Sequence, residues 1–105
     1  MIKLRRLSSF KDQEFEERLA AVNEIRSNYQ WATVAYDSRR SDTVWMIRYP
    51  LGDWFGFVCA ELMNQDLGGD DRMYIYVHDL LLDPDRQRQG IGSAVLRHLL
   101  KKAWT

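Results

Sequence analysis

The chain has 105 residues, 46% hydrophobic and 29% charged, with 15 basic and 15 acidic side chains giving a formal net charge of zero. That composition is that of an ordinary globular domain, one unit over 1–105, and the neutral balance argues against a nucleic-acid or anionic-membrane surface as its main business. A lone cysteine, Cys59, excludes an internal disulfide and a thiolate metal cluster, and two widely separated histidines make no metal site.

The opening Met1-Ile2-Lys3-Leu4-Arg5-Arg6 lacks an apolar signal core, and no run reaches membrane-spanning length, so the expected location is the cytoplasm. Residues 2–8 predict a short strand of mixed polarity. Ser9 offers a helix cap, Asp12 and Glu14 suit the positive end of a helix dipole, and Phe15, Leu19, Val22, Ile25 and Tyr29 share one face. A helix over 10–29 follows. Residues 31–36 fit either a strand or an extended loop, and the polar run 37–42 predicts a turn. Residues 43–49 and 54–63 predict a hairpin about Pro50-Leu51-Gly52-Asp53. Residues 64–71, rich in glycine and carboxylates, predict a flexible loop without the spacing of a calcium loop.

Residues 73–82, Met-Tyr-Ile-Tyr-Val-His-Asp-Leu-Leu-Leu, predict a buried strand stopped by Asp83-Pro84. A helix then opens near Gly90. From Ile91 onward Ala94, Val95, Leu99, Ala103 and Trp104 recur at helical spacing, while Ser93, Arg97, His98, Lys101 and Lys102 take the other side. The first turn of a helix has N–H groups without helical acceptors and sits at the positive end of the dipole, so it receives an anion readily. Gly90 and Gly92 let a ligand approach bare backbone, and Arg86 and Arg88 add charge nearby. The pattern reads as a phosphate or pyrophosphate cradle. It is not a P-loop, because Ser93-Ala94 replaces Lys-Ser/Thr, and not a dinucleotide fingerprint, because Val95 stands where Gly or Ala is needed.

Gln87-Arg88-Gln89-Gly90-Ile91-Gly92 matches the pattern Gln/Arg-x-x-Gly-x-Gly/Ala. With its lead-in, residues 78–85, the stretch from about Tyr74 to Leu100 resembles the acetyl-CoA-binding motif of the GNAT acyl-CoA N-acyltransferase superfamily. The resemblance implies an α/β (α+β) fold, a mixed, mostly antiparallel sheet flanked by helices, truncated at the C-terminus. It implies an N-acetyltransferase moving an acetyl group from acetyl-CoA to a primary amine of a small molecule, peptide or protein, with no metal. The backbone of Gln87, Arg88, Gln89, Gly90, Ile91, Gly92 and Ser93 would hold the pyrophosphate, and that of Leu80, Leu81 and Leu82 would pair with the pantetheine arm. One leucine amide would face the thioester carbonyl.

Proton removal falls to His78 or Asp79. Adjacent strand positions point to opposite faces, so only one of them is expected to line the acceptor cleft; imidazole is the residue type suited to a base near neutral pH. Glu61 is a weaker candidate, Tyr74, Tyr76 and Trp45 are core or cleft wall, and Cys59 is packing. The tyrosine that serves many relatives as general acid lies on a helix after a fifth strand and has no counterpart here. The resemblance therefore implies an uncovered strand edge and helix face, for a homodimer or another protein to cover. A non-catalytic module that binds acetyl-CoA or a partner is the alternative, and a dimeric scaffold that has lost the cofactor is a third reading.

Overall fold

The computed structural model describes residues 2–29, 34–67, 70–86 and 90–104. Strand β1 (Lys3–Arg6) leads through a 3-10 turn at Leu7–Ser9 into helix α1 (Asp12–Ser27). Strands β2 (Val44–Arg48), β3 (Gly56–Leu67) and β4 (Asp70–Leu82) follow, and helix α2 (Ile91–Trp104) comes last. The strands form one antiparallel sheet whose spatial order is its chain order. This is the mixed, sheet-and-helix fold that the sequence predicts.

Central strands are apolar on both faces because each face meets a helix. Val44, Met46, Phe57, Cys59 and Leu81 pack with Val22 and Ile25 of α1. Ile47, Phe55, Val58 and Ala60 pack with Ile91, Val95 and Leu99 of α2. The sheet is thus the middle of three layers, and burying each large side chain contributes about 1.5–3 kcal/mol. Gly56 is needed at the base of the β3–β4 pair: a Cβ there would fall 2.7 Å from the Leu81 carbonyl oxygen and 2.6 Å from Leu82 Cδ2.

Several expectations change. Helix α1 is shorter than 10–29, and Ser9 does not cap it. Its hydroxyl instead donates to the Arg6 carbonyl (2.6 Å) and accepts from Arg5 Nε (2.9 Å), closing the 3-10 turn. Lys11 is the N-cap residue, with no side-chain capping bond. The expected loop over 64–71 is the outer part of a long hairpin, since the register runs unbroken from Asn64↔Met73 to Leu67↔Asp70. Residues 31–33 lie outside the described residues, and Val34 to Tyr36 form no strand.

Candidate active site

Strand β4 carries the site because one extra residue interrupts its pairing. Opposite β3 the partners run Ala60↔Val77 and then Cys59↔Asp79, so His78 is the additional residue of a β-bulge. A bulge shifts the side-chain alternation by one. Tyr76, opposite Glu61, and Asp79, opposite Cys59, consequently share the α1 face of the sheet. His78 joins them: its Nε2 lies 3.3 Å from Glu61 Oε1, and its ring centroid is 4.6 Å from that of Tyr76. The expectation that His78 and Asp79 point to opposite faces is therefore corrected, because that rule holds only for a regular strand.

The two neighbours have different surroundings. The carboxylate of Asp79 receives Arg26 Nη1 of α1 at 2.5 Å and the Tyr36 hydroxyl on the same oxygen. Arg26 also donates to the Val34 carbonyl (2.8 Å), and its guanidinium stacks on the Tyr36 ring, 3.8 Å from the centroid. Asn23 holds the Tyr36 backbone from both sides, donating to its carbonyl at 2.9 Å and accepting from its N–H at 2.8 Å. Burial first, and then the hydrogen bond to Asp79, pushes the Tyr36 phenol well above its ordinary pKa, with the Arg26 charge opposing. This cluster ties α1, the 34–36 segment and the bulge together. His78 and Glu61, by contrast, keep about a third and two fifths of their side-chain surface exposed.

Neither Arg26 nor Tyr36 stands out from local pattern, yet one signal exists. Val22, Ile25, Arg26 and Tyr29 follow the i, i+3, i+4, i+7 spacing of an inward face, so Arg26 is a charge on a buried stripe and requires a carboxylate partner.

Beyond the bulge, the outer edge of β4 has no strand beside it among the described residues. The Ala60 N–H bonds to the carbonyl of Thr43, the residue before β2, at 2.9 Å. By antiparallel alternation Val58 and Gly56 also turn to β2, while Phe57 and Cys59 turn to β4. Their partners Leu81 and Asp79 are engaged, so the backbone groups of Leu80 and Leu82 face outward. The Leu82 carbonyl accepts from the Tyr29 hydroxyl at 3.3 Å.

Helix α2 begins against this edge. Ile91, 3% exposed, anchors its first turn in the core. Gly90 has φ +72°, a left-handed conformation that favours glycine, and nothing lies within 4 Å of where its Cβ would be. Its carbonyl accepts the Ala94 N–H at 3.3 Å, so it caps the helix, and the N–H groups of Ile91, Gly92 and Ser93 have no helical acceptor. Gly92 faces β4: a Cβ there would be 3.6 Å from Leu80 Cδ2. The Leu80 side chain and the first turn of α2 are therefore adjacent. Gln87, Arg88 and Gln89 lie outside the described residues. The Arg86 guanidinium lies over the rings of Phe55 (5.5 Å) and Tyr49 (5.7 Å).

Two shallow grooves of about 380 and 450 Å³ lie elsewhere, along α2 and β1, and neither has His78, Leu80 or Gly90 in its described lining. Among the described residues no three His, Cys, Asp or Glu side chains could jointly hold a metal ion, and no helix is long and apolar enough to cross a membrane.

The described residues thus form an antiparallel meander between two helices, with a bulged fourth strand followed by a glycine-capped helix start. The sequence matches the profile of the Acetyltransferase (GNAT) family over residues 5–105, and the chain belongs to that family. Its general activity is thus of the acyltransferase type, and the family typically uses acetyl-CoA with an acceptor substrate. No curated protein and no solved structure matches the chain.

Proposed function

We propose that the protein transfers an acetyl group from acetyl-CoA to a primary amine, with His78 as the proton acceptor. Family membership supports acyl transfer in general. The observation that supports the finer reading is the approach of the Leu80 side chain to the Gly92 position, which sets the first turn of α2 beside β4, a strand with no neighbour on its outer edge among the described residues, with His78 two residues up the strand.

In this reading the N–H groups of Ile91, Gly92 and Ser93 bind the pyrophosphate, together with the 87–89 segment, and Gly90 leaves the approach unobstructed. The outward backbone of Leu80 and Leu82 pairs with the pantetheine arm, Leu81 supplies packing beneath it, and the Leu80 N–H is the donor placed for the developing oxyanion. Such a donor contributes on the order of a hundredfold in rate. The remaining β4 edge is open to a second copy or another protein.

Two protons leave an acceptor ammonium. One is lost before attack and the other as the C–S bond breaks, giving the acetamide, the CoA thiol and one released proton. In this reading the His78 imidazole, whose Nε2 lies 3.3 Å from Glu61 Oε1, is the acceptor for the first. Asp79, already accepting from two donors, positions the bulge rather than receiving that proton.

The test is incubation with acetyl-CoA and a panel of primary amines, following free thiol. We expect turnover that falls at least tenfold in His78→Ala and is lost with CoA binding in Gly90→Trp. CoA binding by calorimetry without turnover on any amine would instead favour the non-catalytic module.

A further inference from the structure

The α1 face of the β3–β4 hairpin continues outward from His78 as a surface of unusual make-up. Opposite one another on it stand Glu61 and Tyr76, then Met63 and Tyr74. Tyr76 is 53% exposed, Tyr74 40% and Met63 37%. A soluble protein exposes single large apolar side chains routinely, but three in register beside a partly exposed carboxylate form a patch. Its chemistry is specific: aromatic faces attract a cation, a thioether adapts to an alkyl chain, and Glu61 supplies the opposite charge.

From these placements we infer that the acceptor is a primary ammonium at the end of an unbranched carbon chain. The ammonium lies against the exposed side of the Glu61–His78 pair, within reach of both, and the chain lies along Tyr76, Tyr74 and Met63. The four residue steps from His78 to Tyr74 span roughly 13 Å at about 3.3 Å per residue, room for several methylenes. Glu61 holds the charged form at the point of entry, beside the group that takes its proton. The inference rests on the proposed transfer reaction and adds the class of amine that enters it.

Two measurements separate the inference from the reaction. Steady-state rates with methylamine, butylamine, hexylamine and Nα-acetyl-lysine amide are compared with aniline, which is neutral at pH 7, and with glycine amide, which has no chain. We expect kcat/KM to rise about twofold per methylene through hexylamine and aniline and glycine amide to be at least tenfold poorer than hexylamine. Nα-acetyl-lysine amide matching hexylamine would identify a peptide-borne chain, and hexylamine alone a free one. Glu61→Gln should raise KM for hexylamine about tenfold, and Tyr76→Ala should flatten the chain-length dependence. Binding is read independently by NMR, where hexylammonium should shift the Met63 methyl and His78 ring signals with or without turnover. Those shifts without turnover would uphold the acceptor surface and overturn the reaction. Rates independent of chain length, or a preference for aniline, would overturn the acceptor surface and leave the reaction standing.

Discussion

Asp79 is the residue on which the interior of the site turns. Arg26 and Asp79 retain only 9% and 12% of their side-chain surface, so removing the carboxylate leaves a guanidinium buried without its counter-charge. Breaking such a pair from one side costs about 3–5 kcal/mol, a large share of the 5–15 kcal/mol typical of a domain. Asp79→Ala should accordingly lower the unfolding free energy in urea by about 3 kcal/mol, whereas a loss below about 1 kcal/mol would mean that water already shares the pair. Tyr36 gives a pH signature at the same cluster. Its pKa is raised in the fold, by burial first and by Asp79 next, so the fold favours the neutral phenol. That contribution is complete below the ordinary tyrosine value of about 10 and declines as pH rises beyond it. The stability difference between wild type and Tyr36→Phe should therefore hold steady up to about pH 9.5 and shrink progressively as pH rises past about 10; a difference that stays constant above that point contradicts the assignment.

At the scale of elements, the helix start at Gly90 sets the second expectation. Alanine there must adopt φ +72°, at a cost of about 1–2 kcal/mol, though no neighbour obstructs its Cβ. Gly90→Ala should then lose about that much stability while keeping most of its CoA affinity, because the approach stays open. A loss of more than about 3 kcal/mol would point to a steric role that the open surroundings of Gly90 do not provide. The same elements show what local pattern can reveal. Helix α2 is legible in sequence because Ile91, Val95 and Leu99 repeat at its period and are buried. The helix start is legible because Gly90 and Gly92 mark the strand-to-helix join, and its use as an anion cradle belongs to the proposed function. The bulge is not, since an extra residue in β4 leaves no trace in composition and becomes visible only against β3. The outer hairpin was hidden for another reason: strands pair through backbone bonds, which need leave no mark on side-chain composition. Glu61 gains its place only through that pairing, 15 positions before Tyr76 in sequence and directly across from it in space.

For the molecule as a whole, the sheet brings two open surfaces together along one strand. In the proposed reading the edge of β4 and the start of α2 take the donor and the α1 side of the hairpin takes the acceptor, with His78 and the bulge between them. The claim with most depending on it is that the donor binds at the start of α2. Backbone amide chemical shifts on titration with CoA test this directly. The account predicts that the largest changes fall on Leu80, Leu82 and residues 90–93, with β1 and the amides of Met46 and Ile47 unmoved, and that Gly90→Trp removes them. Saturable shifts concentrated elsewhere, along β1 or the far end of α2, or no shifts at millimolar CoA from a folded sample, would contradict it.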